Sequence, residues 1–179
     1  MSRSTGALDA ELRAAIRDVP DFPKPGILFR DITGVLADAA LLRRTVSAMA
    51  APFAKDGITH VAGIESRGFI LGAPVALALG AGFIPLRKPG KLPSEVRRVE
   101  YALEYGRDAL EVLSGASGAG HRVLIVDDVL ATGGTAKAAC DLVVMLGSEL
   151  VACSFLLELE ALRGRARLGA TRSSAVLKL

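Results

Sequence analysis

Four consecutive apolar residues, Val123-Leu-Ile-Val126, run into the adjacent carboxylates Asp127 and Asp128, and the chain then passes through Thr132-Gly-Gly-Thr135. A continuous branched aliphatic run bounded by polar residues suits a parallel strand buried on both faces, and open parallel sheets place their ligands beyond the carboxyl ends of such strands. The stretch reads as a strand, an acidic edge and a phosphate cradle. An ionised carboxylate only accepts hydrogen bonds, so a neighbouring pair can hold two adjacent donors, for which a sugar diol is a natural candidate. The glycine pair lets backbone N–H groups approach a ligand and then opens a helix at Ala136, whose N-terminus favours a dianion. Diol and phosphate together point to a ribose 5-phosphate. Rival phosphate loops fail on spacing, since Gly133 lacks the upstream glycine and the lysine of a P-loop and no G-x-G-x-x-G follows a strand. The plain alternative, a strand-to-helix turn with a capping threonine, leaves the acidic pair unexplained.

The same alternation runs through most of the chain. Strands are expected at 59–64, 82–87, 122–127 and 150–157, separated by helices at 68–79 and 136–146, which is a βαβ pattern. Ahead of it, Leu8, Leu12 and Ile16 mark a short amphipathic helix closed by Pro20, and the Pro-rich segment 21–32 runs extended. Asp38 is placed to cap a helix reaching 54, with Pro52 able to kink or shorten it. Residues 88–100 read as a polar, flexible loop, followed by two short antiparallel strands at 101–105 and 109–113. That loop, with Arg87, Lys88, Lys91, Arg97 and Arg98, can clamp a small polyanion. A short charged helix at 160–168 and a small edge strand at 174–177 complete the chain.

Composition narrows the class further. At 179 residues the chain is one domain by length, able to bury about 70% of its unfolded surface. Its mean hydropathy of +0.41 raises a membrane question. The longest apolar candidate, 68–86, is cut by Gly72, Pro74, Gly80, Gly82 and Pro85, so no membrane span is expected. The Met-Ser-Arg-Ser start has no signal-peptide core, which implies a cytoplasmic protein. Cys140 and Cys153 fall in an apolar helix and an apolar strand, as reduced buried thiols do. His60 and His121 each lead into a strand, and a zinc site is not expected. A net charge of +3, without a basic run interleaved with aromatics, argues against nucleic-acid binding.

The segment 123–135 resembles the phosphoribosyl-pyrophosphate signature of the type I phosphoribosyltransferases. Three further segments resemble the adenine phosphoribosyltransferases in particular: Phe22-Pro-Lys-Pro-Gly-Ile-Leu-Phe-Arg-Asp-Ile32, Gly63-Ile-Glu-Ser-Arg-Gly-Phe69, and Arg87-Lys-Pro-Gly-Lys-Leu-Pro93 with Leu103-Glu-Tyr-Gly106. The likeness covers nearly the whole chain and fades after about Glu160. It implies a Rossmann-like central parallel sheet flanked by helices, a small N-terminal hood (1–35) and a flexible catalytic flap (87–106), all in one domain spanning 1–179.

By the same resemblance, Asp127 and Asp128 bind the ribose hydroxyls and Ala131, Thr132, Gly133, Gly134 and Thr135 hold the 5-phosphate. Glu65-Ser66-Arg67 matches the family's pyrophosphate-binding turn, which often contains a cis peptide, and the fork of Arg67 suits phosphate oxygens. Arg87 and Lys91 bring further charge to pyrophosphate. Adenine sets a donor at N6 beside an acceptor at N1, which the backbone of Leu28 in an extended segment can match, with Phe29 near the ring and Arg30 reaching the base. Taken as residues only, Phe29 serves equally well as core and Lys91 as part of a solvated loop, while Tyr101 and Tyr105 read as packing for the hairpin. Glu104 is the family's acid at N7.

The implied reaction joins adenine to 5-phosphoribosyl 1-pyrophosphate (PRPP) to give AMP and pyrophosphate, a step of purine salvage. Magnesium is the implied cofactor, carried on PRPP or pyrophosphate rather than on dedicated protein ligands. A homodimer is implied as well. A transferase for hypoxanthine, guanine or xanthine, or a non-catalytic PRPP-sensing regulator, remains as an alternative.

Overall fold

The computed structural model describes residues 2–102 and 107–179, without the side chains of 2–5, 102 and 107. The chain divides into two compact units, one up to Ala48 and one from Met49 to Leu179.

The first unit opens with α1 (Ser2–Ala15), whose four-residue apolar spacing buries Leu12 and Ile16. It then forms a ribbon that the sequence reading missed: β1 (Arg17–Val19) pairs antiparallel with β2 (Phe29–Asp31). Charges bond across it, Arg17 to Asp31 at 2.7 Å and Arg30 to Asp18. The intervening loop turns through Asp21 and Gly26, both at positive φ, and the Gly26 N–H donates to Asp21 Oδ1 at 2.7 Å. A short α2 (Thr33–Ala37), also unexpected, starts where Asp31 Oδ1 accepts the Thr33 N–H at 2.9 Å. Asp38 caps α3 (Ala39–Ala50) as its position predicts, accepting from Ala40 and Leu41 at 2.8 and 2.9 Å. Pro52 ends that helix early, replacing the expected last turn with a 3-10 turn at Ala51–Phe53.

The second unit is built on β3 (His60–Ile64), β4 (Gly82–Leu86), β7 (Arg122–Leu130), β8 (Glu149–Glu158) and β9 (Ser173–Lys178). These lie in the order β4-β3-β7-β8-β9 with every neighbour parallel. In the central β7, Val123–Val126 are fully buried, as the continuous apolar run requires. The helices α4 (Arg67–Leu79) and α5 (Gly134–Met145) begin one and two residues ahead of expectation. Gly68 lets α4 lie against β7, because a methyl group there would meet Asp127 Oδ1 and the Val126 carbonyl at 2.9 Å. Cys140 on α5 and Cys153 on β8 are buried free thiols, their sulfurs 3.6 Å apart.

The flap differs from the expected layout. Its strands are β5 (Val96–Ala102) and β6 (Arg107–Leu113), so ordered pairing begins at Val96 rather than Tyr101 and the loop is confined to 88–95. The reason is a period-two pattern that charge conceals: Val99 and Tyr101 pack against the main core while Arg98 and Glu100 face outward. Ala109, Leu110 and Val112 of β6 are buried, and Arg87 exchanges backbone hydrogen bonds with Glu111 at 2.8 and 2.7 Å. The charged helix expected at 160–168 divides into a 3-10 turn at Glu160–Leu162 and α6 (Gly164–Arg167), with Arg163 at positive φ between them. The expected edge strand is β9. No described helix is long and apolar enough to cross a membrane.

Candidate active site

Beyond the carboxyl ends of β3 and β7 lies a cleft of about 290 Å³ lined by residues 64–67, Lys88 and residues 127–136. It brings together Glu65, Ser66 and Arg67, which the resemblance alone had assigned to the site, with Asp127, Asp128 and the whole of Ala131 to Thr135. Asp128 is buried, and its Oδ2 lies 3.0 Å from Arg67 Nε. That contact is an ion pair rather than a formed hydrogen bond, and Oδ2 accepts none from the described residues. Asp127 Oδ1 accepts the Asp128 N–H at 2.9 Å. Burial, and then the like charge of Asp128, push the Asp127 carboxyl well above the usual carboxylate range. Beyond the Arg67 ion pair and the Asp128 N–H, an acidic pair in this state is short of hydrogen-bond donors.

Past β7 the chain reaches the start of α5 through Gly133, at φ 80°, so the first N–H groups of the helix, which have no intrahelical partner, open onto the cleft. The other wall begins at the cis Glu65–Ser66 peptide, as the resemblance implied. The Glu65 carboxylate accepts from Arg87 Nε at 3.2 Å, from the Lys88 N–H at 3.0 Å and from the Lys91 ammonium. Burial works to raise this carboxyl, and the bonds from Lys91, Lys88 and Arg87 outweigh it and hold it below its ordinary value. Arg87 Nη1 also donates to the Lys91 carbonyl at 3.1 Å, and the Gly90 N–H to Glu111 Oε2 at 3.0 Å, so the loop carrying the cations is held at three points.

Lys88 is the charged lining residue missing from the sequence-derived site, beside the apolar Ile64, Val129, Leu130 and Ala136. Its ammonium bonds to the Tyr101 hydroxyl at 2.6 Å and to Asp108, and the Thr135 hydroxyl reaches the same Tyr101 oxygen at 3.4 Å. Tyr101 therefore packs the hairpin, as expected, and also joins it to the start of α5. The only advance signal for Lys88 was its membership of the basic group at 87–98.

Glu104 lies outside the described residues. Leu28, Phe29 and Arg30 belong to the N-terminal unit. There Leu28 is about half exposed, the Phe29 ring meets Phe22 edge-on with centroids 5.1 Å apart, and buried Arg30 Nε has no hydrogen-bond partner among the described residues.

Comparison with known proteins agrees with this geometry. Residues 39–174 match the phosphoribosyl transferase domain family. The adenine phosphoribosyltransferase of Methylococcus capsulatus is 58% identical over 93% of this chain and 98% of its own length. The crystal structure of the Rhodothermus marinus adenine phosphoribosyltransferase superposes with a TM-score of 0.94 at 52% identity, covering 97% of this chain and 99% of that one. The Saccharomyces cerevisiae enzyme, complexed with an imino-altritol bisphosphate and adenine, superposes at 0.90 with 40% identity, covering 96% and 99%. With fold, cleft and kinship in agreement, the chain belongs to the adenine phosphoribosyltransferases, within the phosphoribosyl transferase domain family.

Proposed function

We propose that the cleft takes PRPP and that N9 of adenine displaces its pyrophosphate at C1 of the ribose, giving AMP in purine salvage. The observation that carries this reading is the donor-poor acidic pair, half-buried Asp127 and buried Asp128, placed beside the helix-start cradle 131–135. Asp127 and Asp128 accept the ribose hydroxyls, and the N–H groups of the cradle hold the 5-phosphate. Arg67, Arg87 and Lys91 face pyrophosphate, Arg87 and Lys91 being released from Glu65 as the anion arrives. Leu28 presents its backbone pair to adenine, Phe29 lies near the ring and Arg30 reaches the base. Glu104 holds or accepts a proton at N7, and the flap excludes water that would hydrolyse the activated sugar.

The donor set fits magnesium borne by substrate, because buried Asp128 Oδ2 lacks a hydrogen-bond donor and hard Mg²⁺ prefers oxygen ligands and keeps its own waters. When bound, the ion supplies charge neutralisation to the departing pyrophosphate. A homodimer and a cytoplasmic location complete the reading. The outward face of α4, where Ile70 is 48% and Leu77 83% exposed alongside Ala73 and Ala78, supports self-association because it carries no charge.

The test is nucleotide formation from PRPP, Mg²⁺ and each purine in turn. AMP from adenine is expected, with Glu104→Gln lowering kcat on the order of 100-fold. Hypoxanthine or guanine used as readily as adenine overturns the base assignment, and an unchanged kcat overturns the role of Glu104.

A further inference from the structure

The phosphate cradle rests on a part of the chain to which no role has been given. A methyl group built on Gly164 would lie 2.1 Å from the Ala131 carbonyl oxygen and 2.9 Å from the Gly133 nitrogen. In the reverse direction, one built on Gly133 would lie 2.4 Å from the Gly164 carbonyl oxygen. Two backbones therefore touch with no side chain between them, and the loop takes its shape from the surface beneath it.

That surface is itself fixed. Arg163 turns the chain at φ 51°. Arg165 donates to Glu158 Oε1 at 2.9 Å and, from Nη1, to the carbonyl and hydroxyl of Ser173 at 2.9 and 2.8 Å. Glu158 is the last residue of β8 and Ser173 the first of β9, so one guanidinium clamps the ends of two sheet strands. The Leu159 N–H donates to the Leu130 carbonyl at 2.9 Å, tying the same turn to the end of β7.

We propose that the turn at 163–165 is a rigid buttress for the loop 131–134, with Gly164 and Arg165 as positioning residues for the 5-phosphate. This rests on the reading of that loop as the phosphate cradle. Backbone donors stabilise an anion only when aimed within a few tenths of an ångström, and a displacement of about 1 Å is worth roughly 100-fold. The buttress transmits the rigidity of β8 and β9 to a loop whose Gly133 and Gly134 donors have no side chain of their own to lock them.

The experiment measures dissociation constants for ribose 5-phosphate and for pyrophosphate separately by calorimetry, with KM for each substrate and the melting temperature. Pyrophosphate is the internal control, because its contacts lie on 65–67 and 87–91. Gly164→Ala is expected to weaken ribose 5-phosphate by about 10- to 100-fold and to raise KM for PRPP in step, leaving pyrophosphate within twofold. Arg165→Ala does the same more weakly, and Arg165→Lys recovers part of the loss even if the glycine variant fails to fold. Unchanged ribose 5-phosphate affinity in folded variants overturns the buttress, as does an equal loss of pyrophosphate, which marks general loosening. If the wild-type chain binds pyrophosphate but no ribose 5-phosphate, the cradle reading itself fails.

Discussion

Asp127 is held in a state that disfavours its own ionisation, because burial and the neighbouring Asp128 both oppose the charge. Both raise its carboxyl in the folded chain, so its contribution to stability is fully present below the ordinary carboxylate range and is lost as pH rises through its raised folded-state value. Asp127→Asn is therefore expected to stabilise the ligand-free protein at pH 8 by roughly 1 kcal/mol, about 2–4 °C in melting temperature, with the gain vanishing near pH 4. The same variant should raise KM for PRPP. Melting curves across pH decide it: an Asn variant whose disadvantage grows with pH would sink the argument. Asp127 and Asp128 were legible in sequence because their meaning lies in a local order of strand, acids and glycines. Lys88 was not, since Arg97 and Arg98 look the same on paper and only the pairing of β5 with β6 brings Asp108 and Tyr101 to its ammonium.

Elements were read well where burial is two-sided and poorly where strands are short and charged. The three inner strands β3, β7 and β8 and the edge strand β4 declared themselves as apolar runs, whereas β1 is Arg-Asp-Val and β2 is Phe-Arg-Asp, segments with no apolar period to detect. They pair through a backbone ladder, with ion pairs across it between residues 12 and 14 apart in the chain. The start of β5 was hidden for a similar reason, its inward Val99 and Tyr101 being outnumbered by charged neighbours. The contact of α4 with β7 was equally invisible, since nothing local marks Gly68 as a point of backbone approach. Gly68→Ala places a methyl group 2.9 Å from two oxygens of β7. It is expected to destabilise the protein by about 1–3 kcal/mol in denaturant unfolding and to weaken PRPP, because one of those oxygens belongs to Asp127. An alanine variant as stable as wild type would show that α4 can lift away freely.

At the scale of the whole molecule, the uncharged outward face of α4 exposes Ile70 and Leu77, the latter the most exposed large apolar side chain among the described residues. Leu77→Asp puts a charge at its most exposed apolar position without touching a buried residue. In sedimentation, this variant is expected to shift the protein toward monomer at micromolar concentration, and an unchanged size distribution would overturn the proposal that α4 carries a self-association surface. The parallel order of the sheet has a different kind of consequence. Two compact halves, β3-α4-β4 and β7-α5-β8, can each assemble from neighbouring sequence, but His60 meets Val123 only after everything between them has been set aside. The cleft straddles that seam, taking 64–67 from one half and 127–136 from the other. A partly folded chain holding either half would display helices and strands to a spectrometer while possessing no site, so regained turnover, and not regained secondary structure, is the signal that the two halves have joined.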